Sequence, residues 1–232
     1  MATATQLSRN DSAVLGALFD PEASLSSIHQ TSRSNDSAYD HGTLQRIREL
    51  ERQALQSSNT AHPSLADLQR SIILLDKLIE TYPKYASAYS NRAQARRMLY
   101  DVDDLQNHPE ALSLILVDLA SAIRLASSKH ASDTVPSDNA RVLAAAYTHR
   151  AFLLYTASKL TPLGTAFAGV ESMSGPNGDP LEELASRDFA AGGRYGNRVA
   201  KQLAVKTNPY AKLCGSIVKE AMRRELEHYG GR

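Results

Sequence analysis

One six-residue pattern occurs twice in this chain, each time at the heart of a helical stretch. The copies are Ala88-Tyr89-Ser90-Asn91-Arg92-Ala93 and Ala146-Tyr147-Thr148-His149-Arg150-Ala151. Each is followed by a second helix with small or apolar residues four and seven apart. After the first copy this helix contains Ile115, Leu116, Leu119 and Ile123; after the second it contains Ala185-Ser186-Arg187-Asp188-Phe189. A weaker unit precedes both, in which Ser71, Leu75 and Leu78 run up to Pro83. A repeated helix pair constrains the fold strongly, because one pair cannot bury its apolar face alone and must stack on the next. Ala93 and Ala151 fall where a bulky side chain would hold two helices apart. Tyr89, Tyr147 and Phe189 supply the large packing groups around them.

The rest of the chain reads as helices and connectors. Leu44, Ile47, Leu50 and Leu55 lie near helical spacing, and Pro63-Ser64 opens a second helix with Ser64 as its N-cap. Further helices are predicted over 86–99, 109–126 and 139–159, with an acidic loop at Asp101–His108. A helix over 181–191 is expected to stop at Gly192-Gly193, followed by a short one over 195–205 and a terminal one over 210–229. No period-two apolar run reaches four residues, so the chain is predicted to be all-α. Residues 1–42 are rich in Ser, Asn and Asp, with two basic residues against five acidic. They read as a largely loose segment carrying one short docked helix at 11–19, whose stripe is Val14, Leu15, Leu18 and Phe19. The helical repeat domain then spans 43–232, with a mobile insertion at 161–180, where Gly175-Pro-Asn-Gly-Asp-Pro180 breaks any helix.

Charge and chemistry exclude several classes. The chain has 26 basic and 25 acidic residues, so bulk charge gives it no pull toward nucleic acid. Its single cysteine, Cys214, allows neither an intrachain disulfide nor a cysteine-built zinc site, and reads as a small buried hydrophobe beside Leu213, Ile217 and Val218. The seven histidines form no HExxH pattern, and the Gly-Pro-Asn-Gly-Asp segment lacks the Lys-Ser/Thr of a phosphate loop. No catalytic residue, metal or cofactor is therefore expected, and the chain is read as a non-enzyme. The N-terminus shows no basic stretch followed by an apolar run, so a cytoplasmic or nuclear monomer is expected.

The repeat resembles the tetratricopeptide repeat. Tyr89 and Tyr147 match its aromatic position, Ala93 and Ala151 its small position, and Pro83 the proline between repeats. The segment 86–97, the terminal segment 208–222 and the stretch DSAVLGALFDP at 11–21 are similar to the tetratricopeptide repeat protein 36 family. That resemblance implies a small non-enzymatic interaction protein, with links to Hsp70-type chaperones and to tyrosine catabolism. The chain departs from the pattern at two insertions, near 101–110 and 161–180.

Helical solenoids bind partners along a concave groove. The repeat register predicts that Ser90, Asn91, Gln94 and Arg97 line it from the second repeat, and Thr148, His149, Phe152 and Tyr155 from the third. In chaperone-binding members of the superfamily a basic and amide clamp holds a C-terminal carboxylate. Here Asn91 matches one clamp position, but Ala145, His149, Glu51 and Leu55 occupy others, so the groove is read as taking a protein or peptide without such a clamp. The alternative surface is the basic stretch 187–224, including Arg194, Arg198 and Lys201, which would suit an acidic partner or a nucleic acid. No RNA-binding signature accompanies it.

Overall fold

A computed structural model describes residues 30–31, 38–128, 135–159, 181–208, 215 and 217–225. The helix expected at 11–19, the insertion at 161–180 and Cys214 lie outside the described residues. The fold is an all-α helical repeat. Its helices are α1 (His41–Leu55), α2 (Leu65–Thr81), α3 (Ala86–Met98), α4 (Pro109–Ala126), α5 (Ser137–Lys159), α6 (Leu181–Arg194) and α7 (Arg198–Thr207), with a further helix α8 over 217–225. Among the described residues the only strands are Gln30–Thr31 (β1) and Val135–Pro136 (β2), which pair in parallel. No described helix is long and apolar enough to cross a membrane.

Each helix packs on its neighbour in sequence from α1 through α7, and α3 also meets α5. That is the arrangement of a helical solenoid. Local chemistry sets the helix ends. Asp40 caps α1 through Thr43 N–H. Ser64 and Asp67 form a capping box at α2, each side chain accepting the other's backbone N–H at 3.2 Å. Asn197 caps α7 through Ala200 N–H. The main core joins α3, α4, α5, α6 and α7 around Leu112, Ile115, Leu116, Leu143, Leu153 and Phe189. A smaller cluster of Ile47, Ala54, Leu75, Leu78 and Ala88 ties the first repeat to the other face of α3. Ala93 and Ala151 are fully buried. Leucine at either position overpacks the helix pair and lowers stability by about 1–3 kcal/mol, read as a fall in melting temperature.

Two expectations, on the acidic loop and on the paired glycines, are corrected. The acidic stretch after α3 is a 3-10 helix, Val102–Asn107, and buries Leu105 completely. Over 217–225 the described apolar residues Ile217, Val218 and Met222 are each more than half exposed. Gly192 and Gly193 do not stop a helix; α6 runs through both. They are glycines because helices meet there. A Cβ on Gly192 would lie 2.6 Å from Thr148 Oγ1, and one on Gly193 would lie 2.9 Å from Lys201 Cα. Helix propensity alone favours Gly193→Ala by ~1 kcal/mol. The contact is with backbone that cannot rotate away, so a net loss of about 1–2 kcal/mol is expected in chemical denaturation.

Candidate functional site: a cavity across three repeats

The repeated Tyr-x-x-Arg spacing has a structural purpose. Arg92 lies 5.6 Å from the Tyr89 ring centroid, and Arg150 lies 5.6 Å from that of Tyr147. Each arginine then reaches the second helix of its own repeat. Arg150 donates from Nε and Nη2 to Asp188 at 2.6 and 2.8 Å. Arg92 Nε donates to Asp118 at 3.0 Å, Arg96 Nη1 donates to Asp118 at 2.7 Å, and Arg92 Nη1 donates to Asp76 at 2.6 Å. Burial pushes the Asp188 carboxyl above the usual carboxylate range, and Arg150 opposes that shift. These pairs hold the helix layers in register behind the inner face.

That inner face carries a cavity of about 830 Å³. Leu44, Arg48 and Glu51 of α1 form one wall, the turn before α3 together with Ser87, Ser90 and Asn91 forms the floor, and Asp138, Arg141, Val142 and Ala145 of α5 form the far wall. Arg124 and Leu125 at the end of α4 complete it. Arg48 pairs with Asp138 across the mouth, linking the first repeat to the third, and Arg141 pairs with the same carboxylate. The Arg48 and Asp138 side chains are nearly half exposed, so this bridge is weak and opens at little cost.

The clamp position is occupied from within. Asn91 Nδ2 donates to Glu51 Oε1 at 2.8 Å, and the Tyr85 hydroxyl donates to Glu51 Oε2 at 2.6 Å. Burial and the neighbouring Glu51 charge push the Tyr85 phenol well above its usual range. A ligand carboxylate at Asn91 would therefore meet an existing carboxylate. Leu55 turns away and packs on the small core cluster.

The cavity takes in Ser90 and Asn91 from the residues predicted for the groove. Gln94, Arg97, Thr148, His149, Phe152 and Tyr155 do not line it. Thr148 donates to Ala144 O at 2.6 Å, Tyr155 packs edge-on against Phe189, and Phe152 is 45% exposed elsewhere on α5. His149 lies beside Arg97 with its Nε2 buried and unpartnered; burial first, then that charge, push its pKa down to about 4. The physical reason is helix length. Position for position, α3 begins where α5 has already run about two turns, because α5 starts at Ser137 and the residue matching Ala86 is Ala144. The cavity is built on that N-terminal extension, which brings in Asp138, Arg141 and Val142.

No family model matches the chain. No solved structure matches it either. It is 42% identical to the L-tyrosine degradation gene cluster protein hmgX of Aspergillus fumigatus, over 95% of this chain and 94% of that protein. It is 27% identical to tetratricopeptide repeat protein 36 of Danio rerio, over 94% of each chain, and 26% identical to that of Homo sapiens, over 92% of this chain and 93% of the relative. The chain belongs to the tetratricopeptide repeat protein 36 family. Family membership gives the cavity its context, since it lies on the inner face that stacked helix pairs present to partners.

The basic stretch is distributed differently. Arg187 pairs with Glu183 at 2.8 Å, and Arg223 and Arg224 each pair with Glu220 at 3.0 Å. Arg194, Arg198 and Lys201 are exposed along the end of α6 and on α7. No group of three or more His, Cys, Asp or Glu placed to hold a metal occurs among the described residues.

Proposed function

We propose that this protein is a non-enzymatic adaptor that serves L-tyrosine degradation by holding a partner protein in the cavity between α1, α3 and α5. The observation that carries this reading is the cavity itself. It spans three repeats, and the pair that joins its α1 and α5 walls, Arg48–Asp138, is nearly half exposed, so an incoming segment replaces it cheaply. The process is that of the Aspergillus fumigatus relative, an L-tyrosine degradation gene cluster protein. The basic stretch is the weaker candidate surface, because three of its cations are already paired within their own helices.

A chaperone partner of the Hsp70 type would dock without a carboxylate clamp, because the Glu51 charge repels a second carboxylate at Asn91. A peptide with a free acidic C-terminus is expected to bind no better than its amidated form. Tight binding abolished by amidation would contradict this.

The test uses cells of the source organism in which the chain is replaced by the Ser90→Glu, Ala145→Glu variant. Both side chains face the cavity. With fold and abundance unchanged, clearance of added L-tyrosine is expected to drop to that of cells lacking the chain. Clearance at the wild-type rate would contradict the proposal.

A further inference from the structure

We propose that the resting occupant of this cavity is the chain's own residues 11–19, so that a partner must displace them. This rests on reading the cavity as the binding surface and adds how access to it is controlled.

Three observations converge on that occupant. The first is where the chain enters. Gln30 and Thr31 pair in parallel with Val135 and Pro136, and Pro136 itself lines the cavity. At the opposite wall Tyr39 also lines the cavity, and its hydroxyl accepts from Lys84 N–H at 3.0 Å. Gln30–Thr31 and Tyr39 are therefore held at two different rims of the cavity. The ten residues 20–29 span at most ~35 Å when extended, more than the ~20 Å covered by two helix-to-helix intervals. Residues 11–19 are thus within reach of every wall.

The second is apolar match. Val14, Leu15, Leu18 and Phe19 fall on one stripe of a segment too short to hold a helix unaided. The cavity offers Leu44, Pro83, Leu125, Val142 and Ala145 to receive such a stripe. The third is charge. Residues 1–29 carry Asp11, Asp20 and Glu22 against Arg9, whereas the cavity wall carries Arg48, Lys84, Arg124 and Arg141 against Glu51 and Asp138. The two surfaces have opposite net signs. A tether this short supplies an effective concentration of order mM, so even a weak contact is largely formed.

The experiment compares the full-length wild type with full-length Leu15→Asp, Leu18→Asp, using a labelled synthetic peptide of residues 9–22 as the probe. The peptide is expected to bind the double variant and to bind the wild type about ten-fold more weakly, because the tethered copy competes. Adding Ala145→Glu to the double variant is expected to abolish the binding. Equal binding to both chains, binding to neither, or binding indifferent to Ala145→Glu overturns the proposal. Sedimentation closes the remaining route: a wild-type dimer that the double variant converts to monomer would mean that the segment enters a second copy, which also overturns it. Neither arm uses a partner or tyrosine, so a failure here is separable from a failure of the clearance experiment.

Discussion

Replacing Asp118 with alanine is expected to lower the stability of the folded chain by about 3–5 kcal/mol, a large share of what a domain of this kind possesses. The Asp118 side chain is 2% exposed and accepts from both Arg92 and Arg96, themselves 15% and 17% exposed. Its removal leaves two mostly buried guanidinium groups facing a void, with only the half-exposed Asp76 to share. The cost is mainly that of stranding charge, so Asp118→Asn, which keeps the volume, is expected to lose nearly as much. Asp188→Ala strands one arginine instead of two and is expected to cost less. Urea denaturation at neutral pH measures all three. A loss below about 1 kcal/mol for Asp118→Ala would mean that the pair is as weak as a surface bridge.

The second large effect is with pH. The pKa of His149 falls from 6.5 to about 4 on folding, because burial penalises its charged form and Arg97 adds repulsion. The unfolded chain therefore binds a proton that the folded chain refuses. The stability contribution of the neutral imidazole is complete above pH 6.5 and is lost as pH falls toward 4. At the acid end the loss from this one residue is about 2–3 kcal/mol. Carboxylates also titrate as pH falls, so the informative quantity is the difference between wild type and His149→Asn, which installs the side chain present at the matching position, Asn91. As the solution is acidified from pH 7 to 4, the wild-type curve is expected to fall by about 2–3 kcal/mol more than the His149→Asn curve. Parallel curves would show that His149 is solvated.

Much of this architecture was legible because it depends on local spacing. The Ser64 cap, the small residues at Ala93 and Ala151, and the order of helix pairs are properties of short stretches, and the structure places them accordingly. The features that escaped depend on what lies across the fold. Gly192 and Gly193 look like a helix stop by propensity, yet they are the residues that let α7 approach α6. Asp118 and Asp188 carried a signal that could have been used. Each sits against apolar neighbours in the second helix of a repeat, where an acid needs a partner, and each repeat offers an arginine at the same motif position. The insertions hid the pairing, since the two separations are 26 and 38 residues. The groove residues expected from the repeat register follow the motif alone, and most of them lie in or beyond its C-terminal half. The early start of α5 moves the cavity about two turns toward the helix N-termini, which only the packed structure reveals.

The account turns on whether partners are held in this cavity. A photoreactive amino acid at Ser90, on the cavity floor, is to be compared with one at Leu114 of α4, which is 50% exposed but outside the cavity. The two variants are irradiated in cells fed L-tyrosine, and the adducts are identified by mass. The account predicts a discrete adduct to a second protein from Ser90 and none from Leu114. An adduct from Leu114 with none from Ser90 would place the interaction on the outer layer and contradict it.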